Sequence, residues 1–309
     1  MIQVEHLTRR YGGLTAVGDV TFHIDRGEIV GLLGHNGAGK TTIMKMMTGF
    51  LEPTSGTIRI DALEIGKDTR AIQARIGYLP ENCPVYPEMT VIDYLDYQAS
   101  LHGIPEERRP GAIAAAIRRT VLAEKATQTI QTLSRGYRQR VGVAQAILHQ
   151  PDIVILDEPT NGLDPTQILH MRELIRELAK TATVIVSTHI LQEVRAVCDR
   201  VLILRAGQLV VDSRLDALQQ GRRLLVSVDG DASEPLSKVD GVAGVEVRGK
   251  ANGRWTYALD ADDEAAPQVV AVLTTAGRKL YGLQTEQRDL ESLFAEVNAT
   301  APTREVVNA

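Results

Sequence analysis

Several features common in secreted, membrane and nucleic-acid proteins are missing from this chain. Cysteine occurs only twice in 309 residues, at Cys83 and Cys198, far apart and in no CxxC pair. A disulfide framework or a cysteine zinc site is therefore excluded. Apolar runs such as "IVGLL" and "VVAVL" fall far short of the roughly 18 residues that a membrane-spanning helix needs. Near the start, Glu5, Arg9 and Arg10 interrupt any leader-like stretch, so no secretory signal is expected. An excess of basic charge is absent too. The net charge of -5 argues against affinity for nucleic acid through a basic surface. The seven histidines are scattered and suggest no metal cluster. These absences describe a cytoplasmic-type chain that would reach a membrane only through a partner.

What is present suffices for a packed fold. Hydrophobic residues make up 44% and charged residues 24%, a balance outside the disordered range. The length allows about two domains. In the first part, "EIVGLLG", "DIVILDE" and "ATVIVSTH" read as short apolar strands separated by helical patterns, which predicts a parallel α/β core. Ile43, Met44, Met46, Met47 and Phe50 form a core-filling helix face, and Cys198 joins Leu191, Val194 and Val201 on another apolar stripe. Between about 87 and 150 the pattern turns helical without strands. Thr90 and Asp93 resemble a capping box before Val91, Tyr94, Leu95 and Leu101. Ile113 and Ile117 mark a second helix, and Ser134 caps a third running to Pro151. This predicts an all-helical insertion inside an α/β domain.

A composition shift follows near "ALQQGRR". Beyond it the order strand, helix, strand, strand, helix, strand matches a split βαβ, ferredoxin-like α+β unit over 221–298. Its landmarks are "LLVSV", Val245 and Val247, an Asn252-Gly253 turn, then Trp255, Tyr257 and Leu259 in alternation. Val269, Val272, Leu273 and Ala276 form a helix stripe, and Leu290, Leu293, Phe294 and Val297 a last one. Residues 299–309 read as a flexible tail. Sheet-bound Trp255 and Tyr257 would suit RNA stacking, but they share a face with Leu259, so a helix-covered core face is expected.

The chemistry is concentrated earlier. "GHNGAGKT" satisfies G-x-x-x-x-G-K-[ST] with a strand before it and a helix after it. Gly34, His35, Asn36, Gly37, Ala38, Gly39, Lys40, Thr41 and Thr42 therefore form a candidate nucleotide loop. Its backbone N–H groups and the positive end of the next helix suit phosphate oxygens. Lys40 would reach the β- and γ-phosphates, and Thr41 would ligate Mg²⁺. A glycine turn without ligand is the plainer alternative, which this context disfavours. "IVILDEP" then delivers Asp157 to a strand's C-terminal end, where α/β sheets bind ligands. Asp157 would hold the Mg²⁺ shell, and Glu158 would orient an attacking water.

Three further stretches carry a resemblance. "TLSRGYRQR" from Thr132 resembles the signature of ATP-binding cassette (ABC) proteins, "NGLDP" from Asn161 their D-loop, and "STHIL" around His189 their switch histidine. "RRYGGLTAV" is similar to their adenine-stacking segment, with Tyr11 as the aromatic. The resemblance covers residues 1–218 and implies a P-loop NTPase fold. It also implies ATP and Mg²⁺ as cofactors and a head-to-tail pairing of two cassettes, here expected as a homodimer. Ser134 and Gly136 would then meet the γ-phosphate of the ATP on the opposite subunit, and His189 that of its own.

Two departures stand out. Arg135 and Tyr137 replace the glycine and glutamine of the family's LSGGQ, and Glu81 in "GYLPEN" replaces the usual Q-loop glutamine as a third candidate for the metal. These variants are similar to the type 2 exporter branch, including gliding-motility-like ATP-binding proteins. The resemblance implies an ATPase subunit at the inner face of the cell membrane. It would drive separate integral-membrane permease subunits, with no nucleic acid as partner. A non-transport ABC ATPase acting on a soluble macromolecule is the alternative. The single cassette, without coiled-coil heptads or CxxC pairs, weighs against it.

Overall fold

Strand segments apolar at every position need cover on both faces, and the chain meets that need in two layers. The structure, a computed structural model, describes residues 1–220, 222–251, 253–261, 263–287, 290–291 and 293–294. It divides into two compact units, Met1–Ser213 and Arg214–Ala309, close to the composition shift.

The first unit holds strands β1 (Ile2–Tyr11), β2 (Leu14–Ile24), β3 (Ile29–Leu33), β4 (Ser55–Ile60), β5 (Leu63–Glu64), β6 (Ile76–Leu79), β7 (Ile153–Asp157), β8 (Thr183–Thr188), β9 (Arg200–Arg205) and β10 (Gln208–Arg214). Its helices are α1 (Lys40–Met47), α2 (Thr69–Gln73), α3 (Val91–Leu101), α4 (Arg109–Arg119), α5 (Arg135–Ile147), α6 (Pro165–Ala179) and α7 (Leu191–Val197). The central sheet runs β10-β9-β3-β8-β7-β6, and the β9-β3, β3-β8, β8-β7 and β7-β6 pairs are parallel. Alternate residues serve opposite cores. Val154 and Leu156 join the helices α3 to α6, while Ile153 and Ile155 join α1 and a second, antiparallel sheet.

That second sheet, ordered β2-β1-β4-β5, is not among the elements read from the sequence. Its signal is the two-residue alternation of Ile2 and Val4, and of Val20, Phe22 and Ile24, all of them buried. Other expectations change in detail. Helix α5 ends at Ile147 and does not reach Pro151. Helix α7 ends at Val197, leaving Cys198 extended and Val201 in β9. The proposed stripe is therefore split between a helix and a strand, although Cys198 Sγ does pack against Gly31. Phe50 lies beyond α1 and is 70% exposed, and Leu101 also faces outward. Between β6 and β7 the named elements are all helical. Thr90 caps α3, its Oγ1 accepting from the Asp93 N–H.

The second unit comprises α8 (Leu215–Gln220), β11 (Arg222–Asp229), α9 (Ser233–Leu236), β12 (Gly244–Ala251), β13 (Arg254–Asp260), α10 (Ala266–Thr275) and β14 (Leu280–Gln287). Its sheet order is β12-β13-β11-β14, with every adjacent pair antiparallel. Val226, Tyr257, Leu259, Leu236, Val269 and Leu273 share one core, with Trp255 packed against it. Inside that core the Tyr257 hydroxyl accepts from the Ala232 N–H at 2.8 Å and donates to Asp231 at 2.9 Å. Leu290, Leu293 and Phe294 are helical. Gly221, Asn252, Val297 and the expected tail lie outside the described residues.

Helix α5 sits on β6 through Gly77, where a methyl group would strike the Ala146 carbonyl and lie 3.0 Å from Pro151 Cγ. Gly77→Ala is expected to cost about 1–3 kcal/mol, as overpacking does. A drop in the urea midpoint would register it. An unchanged midpoint would show that the helix yields without cost.

Candidate active site

The loop between β3 and α1 is shaped by what surrounds it. A methyl group on Gly34 would sit 2.6 Å from the Leu204 carbonyl oxygen. One on Gly39, which has φ +104°, would sit 2.8 Å from that of Ala16. Both positions exclude a side chain, and Gly39 also needs the left-handed region. Ala38 N–H donates to His35 O, and Gly207 N–H donates to Ala38 O, both at 3.1 Å. Gly39 caps α1 with no side-chain acceptor, and the first turn holds no acidic residue. Helices α3, α5 and α6 differ, since Thr90, Ser134 and Asp164 accept from their first turns. The N–H groups of α1 are thus left to an external anion. His35, Asn36 and Gly37 are exposed along the loop, Ala38 is buried, and Thr41 and Thr42 are half-buried.

Lys40 turns back inside this loop. Its Nζ donates to Gly34 O at 2.7 Å and His35 O at 3.3 Å. It also lies 3.5 Å from Glu158 Oε1. The other Glu158 oxygen meets His189 Nδ1 at 3.0 Å. Lys40, Asp157 and Glu158 are 6%, 0% and 6% exposed, so the three charges lie out of water together. Parallel pairing sets Asp157 opposite Ser187. The Ser187 hydroxyl donates to Asp157 Oδ1 and accepts from the Glu158 N–H at 3.1 Å. That second bond holds Glu158 at φ +49°, uncommon for a residue with a side chain. Asp157 Oδ2 is buried with no hydrogen-bond partner. Sequence reasoning missed Ser187; its signal is a hydroxyl ending β8, the strand beside the one that delivers the acids.

The remaining candidates are not drawn into this cluster. Tyr11 ends β1 beside the Gly12-Gly13 turn, exposed, with the Arg9 guanidinium 4.6 Å from its ring centroid. Glu81 follows β6 and is exposed. Burial pushes the Tyr78 hydroxyl far above its usual range, and the charges of Asp157 and Glu81 raise it further. Both carboxylates are therefore within electrostatic reach of that one phenol. Ser134 caps α5, and Gly136 lies beneath the Gln167 side chain.

Comparison with known proteins settles the family. The profile described as ABC transporter matches residues 17–161. The linearmycin resistance ATP-binding protein LnrL of Bacillus subtilis is 30% identical over 98% of this chain and 99% of its own. The chain belongs to the ABC transporter ATP-binding family. The bacitracin transport ATP-binding protein BcrA of Bacillus licheniformis is 37% identical over 72% of each chain. The dimeric structure of MJ0796, a bacterial ABC transporter cassette, superposes with a TM-score of 0.65 at 25% identity, covering 70% of this chain and 99% of that one. This ABC subunit binds and hydrolyses ATP. Among the described residues, no helix is long and apolar enough to cross a membrane.

The ABC cassette also carries a cavity of about 670 Å³ lined by Lys45, Phe50, Tyr78, Pro84, His102 and His149. The two histidine rings stack, with centroids 4.0 Å apart. His149 Nε2 meets Ile76 O at 3.1 Å, and its Nδ1 is buried without a partner. Burial, and secondarily the neighbouring His102, pulls His149 from 6.5 to about 4. Protons therefore bind the unfolded chain first. The stabilisation is complete above pH 6.5 and is lost as pH falls toward 4. The urea midpoint of the first unit is expected to fall across that window, and His149→Gln to flatten the fall. Identical profiles for the two chains would refute this assignment.

Proposed function

We propose that this subunit is the motor of an ABC exporter, closing as a homodimer around two ATP–Mg²⁺ and moving separate membrane-spanning permease subunits at the inner face of the membrane. The observation that carries this reading is the buried Lys40–Glu158 pair at the mouth of the phosphate loop, with the exposed His189 bonded to the other Glu158 oxygen. The name of LnrL speaks of resistance, that of BcrA of transport, and the MJ0796 cassette was solved as a dimer. These support export and pairing.

The residues present suit the metal. Asp157 Oδ2 is a buried acceptor with no partner, and Thr41 lies in the first turn of α1. Among the described residues, no group of three or more His, Cys, Asp or Glu is arranged to hold an ion alone. That fits Mg²⁺, which commonly takes one or two protein ligands and completes its shell with phosphates and water. Thr41 and Asp157 would hold it, with Glu81 approaching from the loop after β6. When bound, it supplies charge neutralisation to the phosphates.

The chain's own residues do the rest. Lys40 grips the β- and γ-phosphates, and Tyr11 stacks on the base. Glu158 takes the proton of the attacking water, while His189 holds the γ-phosphate. Ser134 and Gly136 engage the ATP of the partner subunit. Each charge-assisted bond of this kind is worth about 1.5–3 kcal/mol.

The helical region of about 87–150 serves as an insertion facing the permease. In support, Ile92, Tyr97 and Leu101 are exposed on α3. The C-terminal unit is assigned as a ferredoxin-like accessory domain with a regulatory or dimer-stabilising role, on the strength of its strand order.

Glu158→Gln is expected to lower ATP turnover by about a hundredfold or more while ATP-bound dimers accumulate on size exclusion. Lys40→Ala is expected to weaken ATP binding itself, by about 10- to 100-fold. Wild-type hydrolysis by Glu158→Gln would sink the catalytic assignment. Ending the chain at Gln220 is expected to spare ATP binding but alter dimerisation, and a truncated chain unable to bind ATP would show the division to be wrong.

A further inference from the structure

The two residues that depart from the family signature lie where α5 meets α6. Arg135 is the first residue of α5, and Gly162 lies in the NGLDP loop before α6. A methyl group on Gly162 would sit 2.7 Å from both Cζ and Nη1 of Arg135, and 2.9 Å from its Nε. The guanidinium is therefore laid flat on the backbone of that loop. The reverse contact also exists. Gln167, in the first turn of α6, lies over Gly136, so a methyl group there would strike its amide. Each segment offers a glycine to the other's long side chain. One turn further along, Arg140 Nη2 reaches His170 Nδ1 at 3.0 Å. The Tyr137 ring has Lys125 Nζ and Arg140 Cζ each 5.5 Å from its centroid.

The NGLDP loop is tied to the main chain of Glu158. Asn161 N–H donates to Glu158 O, and Leu163 N–H donates to Thr160 O, both at 3.1 Å. Two successive turns thus join Glu158 to the glycine beneath Arg135. A displacement of the Ser134–Gly136 turn therefore has a short covalent and hydrogen-bonded path to the backbone of Glu158, running through the Arg135–Gly162 contact.

We propose that Arg135 and Gln167 form a reciprocal clasp that makes Arg135 a positioning residue. The clasp transmits occupancy of the partner subunit's ATP, felt at Ser134 and Gly136, to Glu158 at this subunit's own ATP. The proposal rests on the reading that Ser134 and Gly136 face the partner's nucleotide. It gives the Arg135 departure a purpose: a flat, five-donor group covers a glycine backbone in a way a flexible ammonium does not.

The test uses the full chain, with ATP turnover followed against ATP concentration. Arg135→Ala and Gln167→Ala are each expected to lower kcat about tenfold, the scale of a small misplacement. The Hill coefficient should fall toward about 1, while ATP affinity under monomeric conditions and the urea midpoint stay put. Arg135→Lys is expected not to restore cooperativity. Gly162 has φ +73°, so an alanine there is strained in any case; the paired substitution is Gln167→Ala, which should be damaging alone but add little to Arg135→Ala. Multiplicative effects of those two substitutions, or wild-type kcat and Hill coefficient in Arg135→Ala, would overturn the clasp. Glu158→Gln, run beside them, separates the failures. If it abolishes hydrolysis while Arg135→Ala is silent, only the clasp falls. If it hydrolyses ATP normally, the active-site reading falls and takes the clasp with it.

Discussion

The cassette depends on keeping three ionised groups out of water at one edge of a sheet. An isolated buried carboxylate is costly, and losing one partner of a buried pair costs more than the pair itself contributes. Here Lys40 pairs with Glu158, and Asp157, adjacent in sequence, is fully buried. Ser187 satisfies one oxygen of Asp157, and His189 one of Glu158. The parallel register makes this possible, because β3, β7 and β8 end together and release the phosphate loop, the acids and the histidine on the same side. An anionic polyphosphate is the electrostatic complement of the Lys40 ammonium and of the uncapped start of α1.

Much of this was legible because it is local. Gly34 to Thr42 declare themselves by spacing, and Asp157-Glu158 by ending an apolar run. The Thr90 and Ser134 caps announce helices that begin at the next residue, each accepting from the N–H three positions on, and both hold in the structure. The β2-β1-β4-β5 sheet was not read, although its alternation is present. β2, β3 and α1 lie between β1 and β4 in the chain, and no local signal says which strands pair across that distance. Ser187 escaped for the same reason, since its role is fixed by a neighbour 30 positions away in the sequence. Phe50 was misassigned to a core-filling helix face because apolarity alone does not say where a helix stops.

The same division applies to the signature. Sequence comparison marks Arg135 and Tyr137 as departures but gives no reason for them. Packing supplies one. Both residues lie between α5 and α6, with Arg135 spread over Gly162 and Tyr137 between two cations. An exposed cation–π contact is worth only about 0.5–1 kcal/mol, too little to explain a helix's position. At Gly162 and Gly136 an added carbon would meet the ends of the Arg135 and Gln167 side chains, so each of those side chains lies directly against a glycine.

The C-terminal unit follows different physics. Its sheet buries one face, where Tyr257, Leu259 and Val226 meet α9 and α10. The opposite face carries Ser227 and Thr256, hydrogen-bonded to each other at 3.2 Å, together with Arg254, whose guanidinium lies 4.1 Å from the Tyr281 ring centroid. One covered face and one polar face is how an antiparallel sheet stands on its own. The central sheet of the cassette, apolar on both sides in β3 and β7, has no such freedom and must be enclosed. Enclosure gives the first unit the low-polarity surroundings in which the Lys40–Glu158 pair is buried and in which charge interactions are stronger than in water. The half-open sheet of the second unit offers no equivalent enclosure.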